Sequence, residues 1–70
     1  VKITERDENT ITSALRVAAE VYENDAKAVE DTAEPGAAGE GGRSLARQFR
    51  AQALQARSLA ERIEVEGLAS

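Results

Sequence analysis

The sequence predicts an all-α fold: an antiparallel two-helix hairpin that dimerises into a four-helix bundle. Three observations carry this. Leu45, Phe49, Ala56, Leu59 and Ile63 recur at steps of four, seven, three and four residues, with Gln52 in the vacant heptad place. That spacing draws one apolar stripe down a long helix. Ile11, Leu15, Ala18, Tyr22, Asp25 and Val29 repeat the pattern at steps of four and three. Between the two stripes, residues 33–42 hold one proline and four glycines, and no helical period crosses them.

The first helix is expected over about 5–32. Thr4 with Asp7 three residues later has the form of a capping signal, although Asp is shorter than the Glu that usually reaches back. Glu5, Asp7 and Glu8 place carboxylates where the helix dipole favours them. Thr10, Thr12 and Ser13 are mediocre helix formers, so a later start near Thr10 or Thr12 stays open. Ala14, Val21 and Ala28 widen the stripe on one flank, and Ala19 and Ala26 widen it on the other. Such breadth implies burial against more than one neighbour.

Pro35 ends this helix by clashing with the preceding turn. The segment 33–42 reads as a flexible, exposed, Gly-rich loop. A phosphate-binding loop is excluded, because no Gly-Lys-Ser/Thr follows the glycines and no strand precedes them. The second helix is expected over about 43–66, with Gly67 as a left-handed cap. Folding about the loop sets Val29 near Leu45, Tyr22 near Phe49 or Gln52, Ala18 near Ala56, Leu15 near Leu59 and Ile11 near Ile63. In that pairing Asp25 lies on the seam and needs a partner. Asp25, Gln52 and Tyr22 are therefore expected to form a buried polar layer that fixes register; the alternative is that Asp25 and Gln52 touch a partner molecule.

Composition narrows the function. The 70 residues contain neither Cys nor His, which excludes disulfide staples and the commonest zinc sites. The Glu-x-x-His units of two-metal helical bundles are likewise missing. Glu20, Glu23 and Glu30 carry no metal or cofactor pattern, and no nucleophile–base arrangement exists. The reading is accordingly non-enzymatic. No run reaches the roughly twenty apolar residues of a membrane span, and a cytoplasmic location fits the lack of Cys. The chain opens on Val1, as a processed, trimmed or excised chain would.

The net charge of -4 hides an asymmetry. Nine acids and three bases fall in residues 5–34, whereas five arginines and three glutamates fall in residues 43–66. The halves attract one another or offer opposite charge to partners. Arg43, Arg47, Arg50 and Arg57, with Leu54 among them, form the candidate interaction face. An acidic chain without a lysine run argues against nucleic acid as the partner.

The runs Leu15-Arg-Val-Ala-Ala-Glu-Val-Tyr22-Glu-Asn-Asp25-Ala26, Leu45-Ala-Arg-Gln-Phe49-Arg-Ala-Gln52-Ala and Leu59-Ala-Glu-Arg-Ile63-Glu resemble small uncharacterised helical-hairpin proteins of bacteria and their phages. The resemblance implies no known activity and no catalytic residue. Two functions follow as expectations. One is a self-associating adaptor or structural module, present as a homodimer or with a helical protein partner. The other is a phage-encoded or accessory inhibitor that binds a host protein, host-defence components included.

Overall fold

A computed structural model describes residues 2–68. Helix α1 spans Glu5–Thr32, a 3-10 turn spans Gly36–Gly39, and helix α2 spans Glu40–Glu66. The two helices pack antiparallel along their length, giving a rod of 50 × 19 × 14 Å.

The start of α1 is a capping box. The Asp7 backbone N–H donates to the Thr4 hydroxyl oxygen at 3.1 Å, and the Thr4 N–H donates to the Asp7 carboxylate at 3.0 Å. Two otherwise orphaned donors are satisfied at once. The Thr4 backbone bond is the main cause that holds the Asp7 carboxyl below its ordinary range, with the hydroxyl contact second. At the far end of α2, Gly67 has φ 77° and ψ 163°. This is a positive-φ stop, but it lies in the mirror-extended region and not in the left-handed helical one expected.

The connection departs from a flexible loop over 33–42. The 3-10 turn orders Gly36–Gly39, and α2 begins at Glu40, ahead of the expected start near Arg43. Arg43 explains the difference. Its guanidinium donates to the Glu34 carbonyl at 3.0 Å, to the Gly36 carbonyl, and to the Glu40 carboxylate at 3.2 Å. One side chain thus ties the end of the linker to the first turns of α2. Gly39 is buried, and a Cβ there would overlap the Glu34 carbonyl oxygen. Gly41 and Gly42 then continue as helix despite their poor propensity.

The seam is rotated from the expected stripe. Thr12, Ala19 and Ala26 are the buried residues of α1, and Ala46, Ala53, Ala60 and Ile63 those of α2. The alanines among these are completely inaccessible. Seven-residue steps join Thr12, Ala19 and Ala26, and also Gly39, Ala46, Ala53, Ala60 and Gly67. Small residues at every step let helix backbones pack closely. That approach puts the alanine columns at the centre and leaves the larger side chains beside it. Thr12 stays satisfied in the seam because its hydroxyl donates to the Asn9 carbonyl at 3.1 Å.

Contacts at both ends fix the axial register. A Cβ on Gly42 would lie 3.5 Å from both Ala33 and Val29, and one on Gly67 would lie 3.3 Å from the Glu8 carboxylate. Between these ends Leu15 comes level with Ala60, Tyr22 with Ala53, Ala26 with Phe49 and Val29 with Ala46. Large faces small at each of these levels, an arrangement that fills a close-packed seam.

Candidate interaction surface

Two sides of the hairpin flank the alanine seam, and they differ in kind. One side is a charge ladder. Arg16, Glu23 and Glu30 stand seven residues apart on α1, and Glu64, Arg57 and Arg50 stand seven apart in the opposite direction on α2. Each step pairs: Arg16 with Glu64, Glu23 with Arg57, and Glu30 with Arg50. Arg57 engages Glu23 through both guanidinium Nη atoms, the second at 2.8 Å. Hydrogen bonding from Arg57 is the main cause that holds the Glu23 carboxyl low. The matching bond from Glu30 raises Arg50, and that from Glu23 raises Arg57.

The candidate arginine face is therefore drawn inward. Arg43 serves the turn, Arg50 and Arg57 serve the ladder, and Arg47 reaches the Glu40 carboxylate at 3.1 Å. Glu40 is held below its ordinary range by hydrogen bonding first from Arg47 and then from Arg43. Leu54 stands exposed among them. The arrangement neutralises the arginines within the chain and leaves no cluster of unpaired positive charge at these four positions.

The other side is apolar and open. Tyr22 and Phe49 stack at its centre, with ring centroids 6.2 Å apart and planes inclined by 26°. A shallow groove runs between the helices, with Leu15, Ala18 and Tyr22 on one wall and Gln52, Ala56 and Leu59 on the other. Leu45 and Leu59 are 41% and 40% exposed, and Val21 is 50% exposed. Ile11, Val29 and Phe49 are half-buried along the same flank.

Asp25 and Gln52 correct the expected polar layer. Both are exposed, Tyr22 is half-buried, and no hydrogen bond joins the three. The physical reason is the rotation onto the alanine columns. It turns the Asp25–Gln52 edge of each helix away from the seam and onto the open face. Among the described residues, Asp25 has neither an ion pair nor a hydrogen bond.

The apolar stripe of the sequence places Ala19 and Ala26 on a flank. The signal that identifies them as the centre is their strict seven-residue spacing, matched by Ala46, Ala53 and Ala60. The ladder was equally readable from the spacing of Arg16, Glu23 and Glu30 against Arg50, Arg57 and Glu64. Among the described residues, no three acidic side chains come together as a metal site. No helix of the described residues is long and apolar enough to cross a membrane. Comparison with family models, with curated proteins and with solved structures finds no match.

Proposed function

We propose that this chain is a non-enzymatic, self-associating interaction module, and that two copies bury their open apolar faces as a four-helix bundle. The observation that carries this reading is the aromatic pair Tyr22–Phe49 set in an open apolar flank, beside a seam that, among the described residues, fully buries nothing larger than alanine. An alanine methyl contributes on the order of 0.8 kcal/mol when buried, against about 1.5–3 kcal/mol for a leucine. The seam thus gains closeness but little apolar burial. The larger side chains are left to gain theirs elsewhere.

Area supports the same reading. A compact chain of 7.5 kDa exposes about 4,200 Å², whereas this rod exposes 5247 Å². The excess is on the order of 1,000 Å², and a standard interface removes about 800 Å² from each partner. A second copy offers the right shape because a two-fold interface joins identical faces.

Sedimentation equilibrium tests the proposal. The expected mass at micromolar concentration is twice the 7.5 kDa of the chain, and Leu59→Glu shifts it toward the single chain. A helical, cooperatively melting monomer at that concentration overturns the reading.

A further inference from the structure

Asp25 is exposed to water in one hairpin, and it needs a donor once its flank is covered. It is a carboxylate on the apolar flank, close along the helix to Tyr22 and Val29, without a hydrogen bond or ion pair among the described residues. We infer that the occupant of this face is a second copy docked with both turns at the same end, so that Asp25 of each copy accepts a hydrogen bond from Gln52 of the other. This rests on the self-association proposed above and adds its orientation.

Two face-to-face arrangements are open to a two-fold dimer of hairpins. With the axis along the rod, α1 of each copy lies over α2 of the other, at the same level. The register of the hairpin then sets Leu15 over Leu59, Val29 over Leu45, and Asp25 over the turn of helix that holds Gln52. Between these levels apolar side chains meet apolar ones and Asp25 meets an amide donor, while Glu8 and Glu66 end the same two columns at the open end of the rod. The contact is made twice by symmetry.

With the axis across the rod, the turns lie at opposite ends and α1 lies antiparallel over its own copy. Full overlap then lays Asp25 on Leu15 of the other α1, where no donor stands. The Tyr22 hydroxyl is the nearest donor on that face of α1. Reaching it slides the rods past each other and leaves Ile11 of both copies uncovered. A buried carboxylate without a donor is the costlier outcome, so polar matching selects the aligned arrangement.

The long dimension of the rod makes the test direct. The chain has no cysteine, and a Cβ on Gly41, near the turn, would have nothing within 4 Å. A nitroxide on Gly41→Cys reports the distance between the turns of the two copies by pulsed electron paramagnetic resonance. Aligned docking gives labels within about 30 Å, the width of a four-helix bundle plus the label arms. Crossed docking gives roughly the 50 Å length of the rod. A long distance from a species of dimeric mass overturns the orientation and leaves self-association standing. A monomeric mass overturns both.

A second measurement reads the polar contact. Gln52→Glu sets carboxylate against carboxylate and raises the dimer Kd at least about tenfold. Adding Asp25→Asn to the same chain restores a donor and brings the Kd back. A Kd that Gln52→Glu leaves unchanged refutes the Asp25–Gln52 contact.

Discussion

Gly39 and Gly41 stand two residues apart and predict opposite responses to the same substitution. A methyl at Gly39 meets the Glu34 carbonyl and the Arg43 guanidinium, the two groups that close the turn. Gly39→Ala should therefore destabilise by about 1–3 kcal/mol through overpacking. Gly41 has open space around its missing Cβ and sits in the helix. Gly41→Ala should stabilise by about 0.5–1 kcal/mol, because glycine loses more backbone freedom than alanine on folding. Urea melts of both variants at one fixed protein concentration check the pair, since association would shift apparent stability. Equal effects of the same sign would mean that the turn is not closed around Gly39. At the seam, Ala53→Leu should cost about 1–3 kcal/mol for the same reason of space, because Ala53 has no accessible surface and Tyr22 stands at its level.

At the scale of elements, the ladder and the cap respond to acid in one direction. Glu23, Glu40 and Asp7 each have a folded-state pKa below the ordinary carboxylate value. Groups depressed in this way contribute stability above their unfolded pKa, and that contribution is lost as pH falls through the lower folded value. The melting temperature should be flat near neutrality and should fall as pH drops below about 4. Circular dichroism melts between pH 7 and pH 3 measure it, and an unchanged midpoint would mean that the three carboxylates are not engaged. The ladder pairs are all roughly half exposed, so each is individually weak and screened by salt. Their value is directional. Glu23→Arg sets like charges across the seam and should lower the melting temperature, and Arg57→Glu in the same chain should recover much of the loss.

The element scale is also where the sequence was most and least legible. Two helices and their antiparallel pairing follow from period, Pro35 and the glycines alone. The axial register follows too, since residues paired by the apolar stripes do lie at neighbouring levels. What the stripe missed is rotation about each helix axis. Hydrophobicity favours burying Leu15, Leu45 and Leu59, whereas the backbones come closest where side chains are smallest. Ala19, Ala26, Ala46, Ala53 and Ala60 won that competition, and the leucine-bearing edges became the flank. The same rotation explains why Asp25 and Gln52 stand outside. The turn differs from the flexible loop expected of 33–42 for another reason. Four glycines suggest freedom, but Arg43 with its partners Glu34, Gly36 and Glu40 removes it.

At the scale of the whole molecule, the radius of gyration is 15.8 Å, against about 11 Å for a compact chain of this length. The excess reflects a structure one helix pair wide, in which no described residue has a second layer behind it. Opposite properties are sorted to the two sides of the seam: compensated charge on one, and aromatic and aliphatic surface on the other. A protein so divided should melt at a temperature that rises with its own concentration. Melts across a hundredfold range of concentration test this, and a midpoint independent of concentration would argue for a self-sufficient monomer.

The Arg43 clip also bears on how quickly the chain finds its shape. Its three partners lie only nine, seven and three residues away in sequence. Loops of that size close in roughly 10–100 ns, before any contact between the distant helix ends can form. The turn can therefore act as the nucleus from which the helices zip toward Glu8 and Leu68, whose bond spans 60 residues and closes last. Arg43→Ala should slow folding while leaving the unfolding rate nearly unchanged, and Glu8→Ala should do the reverse. Stopped-flow traces of the two variants would read the order of events directly.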